Sequence, residues 1–188
     1  MGGEIISEYH LTLPIESNII KKLRIKDVLY ISGNLFTARD EAHKLMLKID
    51  KIPFEISSMA LYHCGPLMKK NGDNWKVISA GPTTSSRMEL YEEDFIKKSG
   101  INLIIGKGGM FSDIQKSLQK YICVYASYTG GVGALAAEKI EKVIDVFWLE
   151  KLGMPEATWI LKVKEFGPLI VSMDSEGNSL YNNHNKNE

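Results

Sequence analysis

Cysteine is scarce in this chain: 188 residues contain two, Cys64 and Cys123. They are far apart, form no CxxC pair and have no histidine at ligand spacing, so the cysteines indicate neither a disulfide framework nor a metal site. Each is expected to pack as a small buried hydrophobe. Net charge is also lacking, because 23 basic residues balance 23 acidic ones. That removes the electrostatic footprint of a nucleic-acid or anionic-membrane binder and leaves small molecules or proteins as partners. No apolar run is long enough to span a bilayer, and the N-terminus alternates charged and apolar residues where a signal peptide would be apolar throughout. Ile6 stands where a myristoylation signal needs Ser or Thr. A soluble cytoplasmic protein is therefore expected. Internal repeats and low-complexity linkers are missing as well, and the length suits one domain over residues 1–181. The Asn-rich end, 182–188, reads as a frayed tail.

What is present is a succession of short strands and helices. Residues 5–13 roughly alternate, with Ile5, Ser7, Tyr9 and Leu11 on one side and Glu8, His10 and Thr12 on the other, which predicts a half-buried strand ending at Pro14 with His10 on its surface. A helical turn follows Ser17, and residues 28–36 read as a strand with a bulge at Gly33-Asn34. Thr37 is placed to cap a helix whose apolar face is Ala42, Leu45, Met46 and Ile49. A strand over 56–64 and another over 75–80 flank the Asn71-Gly72 turn. A helix should then run to Lys98 and stop at Gly100, before a strand over 101–105. Met110, Phe111, Ile114, Leu118 and Tyr121 trace a further helix face, and 122–127 a further strand. The residues after Gly130 read as a long helix to about Leu149. Two last strands, 159–163 and 169–173, are expected on either side of Gly167-Pro168. Strand–helix alternation from about residue 75 predicts an α/β fold, a mixed sheet covered by helices.

Two loops carry unusual chemistry. Gly81-Pro82-Thr83-Thr84-Ser85-Ser86-Arg87-Met88 gathers hydroxyls at an expected helix start, and Gly106-Lys107-Gly108-Gly109 sets a lysine among glycines after an apolar strand. Helix starts and hydroxyl clusters suit anions, and glycines let a ligand approach the backbone. Arg87, like Arg39, would fall in the first turn of a helix, where the dipole opposes a cation. A nearby anion accounts for both. The bland reading gives Ser85 or Ser86 a capping role, with Ser86 and Glu89 in capping-box spacing, and gives Arg39 a surface ion pair with Asp40 or Glu41. His43, His63 and His184 have no spacing that brings them to the hydroxyls. Gly131-Val132-Gly133-Ala134-Leu135-Ala136 fits a dinucleotide-binding turn, with Glu165 as a loose match for the ribose-binding acid. The alternative is that small residues permit close helix–sheet packing.

Taken in order, Thr37-Ala38-Arg39-Asp40, Tyr62-His63-Cys64-Gly65-Pro66, the Gly81–Met88 stretch, Gly106-Lys107-Gly108-Gly109-Met110 and Glu165-Phe166-Gly167-Pro168 resemble the β subunit, or C-terminal domain, of class I fumarases and L-tartrate dehydratases. The resemblance covers nearly the whole chain. It implies a single swivelling β/β/α-type domain of an iron-sulfur hydro-lyase. Arg39, Arg87 and Lys107 would grip the substrate carboxylates, and Thr83 would stand at the catalytic centre as the base for the C3 proton. The family needs a 4Fe-4S cluster, for which two cysteines do not suffice. The resemblance thus implies a separate α subunit carrying it, in a hetero-oligomer of α2β2 type that interconverts fumarate and L-malate. L-tartrate dehydration to oxaloacetate is the alternative within the family. A nucleotide-binding module using the Gly131 loop, or a non-catalytic scaffold, are the alternatives outside it.

Overall fold

The computed structural model describes residues 6–181 except 111 and 130. In chain order the elements are β1 (Glu8–Thr12), α1 (Ser17–Ile20), β2 (Val28–Thr37), α2 (Asp40–Lys48), β3 (Ala60–Tyr62), β4 (Leu67–Asn71), β5 (Asn74–Ser79), a 3-10 turn (Ser85–Arg87), α3 (Glu89–Ser99), β6 (Leu103–Gly106), α4 (Ser112–Tyr121), β7 (Val124–Ser127), α5 (Gly133–Glu138), β8 (Ile140–Phe147), α6 (Leu149–Leu152) and β9 (Thr158–Met173). Seven strands form one sheet in the order β1-β2-β3-β6-β7-β9-β8, and a further β2–β9 pairing closes it on itself. From β1 to β7 each neighbouring pair is parallel, while β9 runs antiparallel to β2, β7 and β8. The β4–β5 hairpin forms a separate two-stranded sheet. The expected α/β class with a mixed, helix-covered sheet is what the chain adopts. No described helix is long and apolar enough to cross a membrane.

Closure of the sheet sorts the apolar residues by strand parity, since successive side chains point to opposite faces. Leu29, Ile31, Leu35, Leu103, Ile105, Val124, Trp159 and Leu161 join one buried cluster inside the closed sheet. Phe36, Leu61, Ile104, Tyr125 and Ile160 face outward and pack with Met46 of α2, Phe95 of α3 and Leu118 of α4. Trp159 is fully buried. It meets Trp75 edge-to-face at 5.1 Å between centroids and donates Nε1–H to the Met154 carbonyl at 3.0 Å. Trp159→Ala should cost about 3–5 kcal/mol, as large-to-small core changes of aromatics do. Urea unfolding would show this as a lower midpoint.

Two expectations fail here for identifiable reasons. The helix expected to reach Leu149 stops at Glu138, and residues 140–147 are the strand β8. Two register shifts interrupt the β8–β9 pairing, so Ile140, Val143 and Val146 all turn toward the inner cluster at three-residue spacing. Bulges thereby imitate a helical period. The two final strands are one, β9, which passes through Gly167-Pro168 and pairs with β2 on both sides of it. Both cysteines are free and buried, as expected.

His10 occupies the exposed face of β1 as expected, with Nδ1 2.5 Å from Glu165 Oε2 and Nε2 3.1 Å from Glu8 Oε1. Hydrogen bonding to Glu165, then to Glu8, raises its pKa above 6.5. A raised folded pKa stabilises fully below the unfolded value and loses that contribution as pH climbs through the folded one. Wild type should therefore exceed His10→Gln in stability by more at pH 6 than at pH 9, by a small margin because the pair is solvated. Urea titrations at the two pH values would check it.

Candidate active site

The carboxyl ends of β2, β3 and β6 open on the same edge of the sheet, the place where open parallel sheets expose loops to ligands. The 82–85 stretch is laced between two of these ends. Pro82 bridges Cys64, Thr83 N–H donates to the His63 carbonyl at 2.7 Å, Lys107 N–H donates to the Thr83 carbonyl at 3.2 Å, and Ser85 N–H donates to the Lys107 carbonyl at 3.0 Å. Thr83 and Lys107 are thus fixed side by side by backbone bonds, although 24 positions apart in their numbering. Gly106 makes the approach possible, because a Cβ there would lie 1.9 Å from Ser85 Oγ. Gly106→Ala should cost about 1–3 kcal/mol by overpacking and shift Ser85 with its neighbours. A lower melting temperature together with reduced activity would report both effects.

Arg39 follows β2 and crosses directly over Gly65, where an added Cβ would meet its Nη1 at 2.6 Å and Cδ at 2.9 Å. Its Nε lies 3.2 Å from Glu156 Oε1. Arg87 is exposed and pairs through Nη2 with Asp40 Oδ2, in the first turn of α2 beside Arg39. Through these contacts the Arg87 loop is attached both to the Arg39 corner and to the Thr83–Lys107 ladder. Thr83, Thr84, Ser86 and Lys107 are partly exposed on this edge.

The placement differs in detail from the helix-start reading. Arg39 is the N-cap residue of α2, not a first-turn residue, and Asp40 is taken by Arg87. Arg87 ends a 3-10 turn, with α3 beginning only at Glu89. Neither arginine therefore lies inside the first turn of an α-helix, and Arg39 and Lys107 reach this edge from the ends of β2 and β6. Ser86 is not the N-cap of α3, a position held by Met88, whose side chain makes no capping bond. Thr37 does not cap α2. Its Oγ1 accepts from Trp159 N–H at 3.0 Å, within the sheet.

One histidine, His63, does reach the hydroxyls, contrary to the sequence expectation. His63 Nδ1 is 2.9 Å from Ser85 Oγ, which Tyr125 Oη also approaches at 3.0 Å. Behind them, His63 Nε2 is 2.7 Å and His43 Nε2 3.3 Å from Glu92 Oε1, all three side chains being fully buried. Burial pushes the Glu92 carboxyl up, but attraction to His63 and the closeness of both imidazoles outweigh it and hold the group below its usual range. Burial lowers the pKa of His63, with Glu92 opposing in part. His184 lies outside the described residues. The only sequence signal for this cluster was three polar residues on otherwise apolar faces. Spacing could not show it, because the sheet supplies the proximity.

The Gly131 motif has a packing role. Gly133 sits against the end of β5, its carbonyl accepting from Ala80 N–H at 3.0 Å, and a Cβ on it would come within 2.4 Å of Ser79 Oγ. The helix that follows spans six residues, and Glu165 is engaged by His10. The long helix of a dinucleotide-binding unit is not formed.

A family model described as Fumarase C-terminus matches residues 6–184. A protein of Methanocaldococcus jannaschii, provisionally named L(+)-tartrate dehydratase subunit beta, is 47% identical over 171 residues, covering 89% of this chain and 88% of its own. L(+)-tartrate dehydratase subunit beta of Escherichia coli K12 is 43% identical, covering 90% of this chain and 85% of its own. A protein of Geobacillus stearothermophilus, provisionally named fumarate hydratase class I, is 43% identical over 172 residues, which are 91% of this chain and 33% of that longer one.

Proposed function

The chain belongs to the fumarase C-terminus family, and from that premise we propose that it is the β subunit of a two-chain hydro-lyase interconverting fumarate and L-malate. The observation that supports this most is the lacing of Thr83 to Lys107, with Arg39 and Arg87 joined to the same edge through Asp40 and Gly65. Two guanidinium forks suit planar carboxylates, and a lysine supplies a compact point charge. Arg87 uses one of its five donors on Asp40, which leaves donors for a ligand. In the dehydration direction Thr83 takes the C3 proton of malate, and negative charge builds on the adjoining carboxylate as an aci-carboxylate dianion. Fixed cations there stabilise the transition state more than the ground state. A threonine hydroxyl is a weak base, so Lys107 beside it is assigned the further task of favouring its deprotonated form.

The residues of this chain do not fit an iron-sulfur cluster. Both cysteines are fully buried, and burial pushes both thiols well up, with Arg39 opposing only in part at Cys64. Thiolate ligands are therefore disfavoured here, and the 4Fe-4S cluster is assigned to a partner α subunit in an α2β2 assembly. The free cysteines also suit a reducing compartment, which we take to be the cytoplasm.

Dehydration of L-tartrate to oxaloacetate is the second reading, favoured by the names of the relatives that match this chain in length. Tartrate brings one hydroxyl more than malate, which needs a partner beyond the three cations. Anaerobic co-expression with the α chain, followed by separate assays on fumarate, malate and tartrate, tests the proposal. Turnover of fumarate and malate by the complex, and none by this chain alone, is expected. Turnover of tartrate alone would transfer the assignment to the second reading, and inactivity of the complex on all three would reject both.

A further inference from the structure

His43 of α2, His63 after β3 and Glu92 of α3 meet in the interior with no exposed surface, and their donor atoms all lie within 4.8 Å of one another. The contacts are close, yet His43 Nε2, His63 Nε2, Glu92 Oε1 and Glu92 Oε2 have no aligned hydrogen-bond partner. Buried donor atoms gathered this closely without hydrogen-bond partners are what a shared cation would satisfy. The far nitrogens, by contrast, are anchored. His43 Nδ1 is 2.8 Å from the Arg39 carbonyl, which can only accept, so that nitrogen carries a proton and a neutral His43 presents a bare Nε2 to the cluster. His63 Nδ1 is held by Ser85 Oγ at 2.9 Å. Imidazoles that ligate metals are oriented in this way, the second nitrogen bonded to a carbonyl or similar group. With both imidazoles neutral, the cluster would bury one unbalanced negative charge, which is costly without a cation.

We propose that His43 Nε2, His63 Nε2 and the Glu92 carboxylate form a buried site for a divalent transition-metal ion of the zinc class. Two imidazoles and a carboxylate suit zinc, whereas magnesium and calcium prefer oxygen throughout. The unpartnered Glu92 Oε2 is available as a further donor. With no exposed surface the ion has no room for substrate, so its role is structural. It ties α2, α3 and the end of β3 together beneath the loop carrying Thr83. The site is independent of the proposed hydro-lyase activity and of any cluster on the partner chain.

The rival occupant is a proton on His43 Nε2, which would pair with Glu92 and neutralise the cluster. Elemental analysis of the full chain, purified without chelator, separates the two. About one zinc per chain is expected, resistant to dialysis against EDTA. Glu92→Gln should reduce zinc to a small fraction of an equivalent. Cobalt loaded by refolding wild type should show the visible absorption of a low-coordinate N/O site, a readout that does not depend on the variant folding. Wild type purified with less than about a tenth of an equivalent of any transition metal, and with a melting temperature unmoved by added zinc, would establish the proton and overturn the proposal.

Discussion

Lys107→Ala and Arg87→Ala should each lower kcat/KM of the assembled enzyme by on the order of 10²–10³, the loss expected when a donor aimed at developing negative charge is removed. Stability should hardly change. Arg87 is half exposed and its pair with Asp40 is a surface ion pair, which contributes about 0–1 kcal/mol. Lys107 is fixed by backbone bonds that survive truncation of its side chain. A large loss of activity at constant melting temperature is thus the signature of a ligand-gripping role. Arg87→Lys refines it, since charge is kept while the bidentate fork is lost, and its activity should fall between wild type and alanine. Asp40→Asn serves as the control, removing the charge that pairs with Arg87 and keeping the guanidinium available to a carboxylate. Steady-state kinetics on malate, beside thermal melts of the same preparations, would measure all four.

Thr83→Val should reduce kcat by on the order of 10²–10⁴, the range for loss of a positioned general base, with KM little altered. Valine keeps the shape and the backbone bonds to His63 and Lys107, so the loop geometry should persist. Exchange of the C3 hydrogen of malate with solvent deuterium isolates the step. It should become undetectable in Thr83→Val and return in Thr83→Ser. Exchange at the wild-type rate in Thr83→Val would remove this residue from proton transfer.

Much of the fold was legible because many strands are short runs, apolar or alternating, and many breaks are marked by Gly, Pro and Asn. The strands β1, β2, β5, β6 and β7 fall close to where alternation and turn chemistry place them, whereas β4 was not foreseen and the strand expected over 56–64 shrinks to Ala60–Tyr62. The failures have two physical sources. Bulges in β8 space Ile140, Val143 and Val146 by three, which a periodicity argument cannot distinguish from a helix. Gly167-Pro168 resembles a connection, yet β9 continues through it because β2 offers partners on both sides. At the candidate site, the loops bearing Arg39, Thr83, Arg87 and Lys107 were visible as motifs, but the reason for their proximity was not. Strand ends and helix starts were expected to present them; backbone pairing fixes Thr83 beside Lys107, and side-chain contacts with Asp40 and Gly65 join Arg87 and Arg39 to them. His63 shows the same limit more strongly. Ser85 lies 22 positions from it in sequence, and only the crossover from β3 to β6 brings the two together.

The most direct measurement is the structure of the two-chain complex, grown anaerobically with malate or a non-reacting dicarboxylate bound. The substrate carboxylates should lie within hydrogen-bond reach of Arg39, Arg87 and Lys107, with C3 facing Thr83 Oγ1. A dicarboxylate held elsewhere, with those three cations turned to solvent in the closed assembly, would contradict the proposed site.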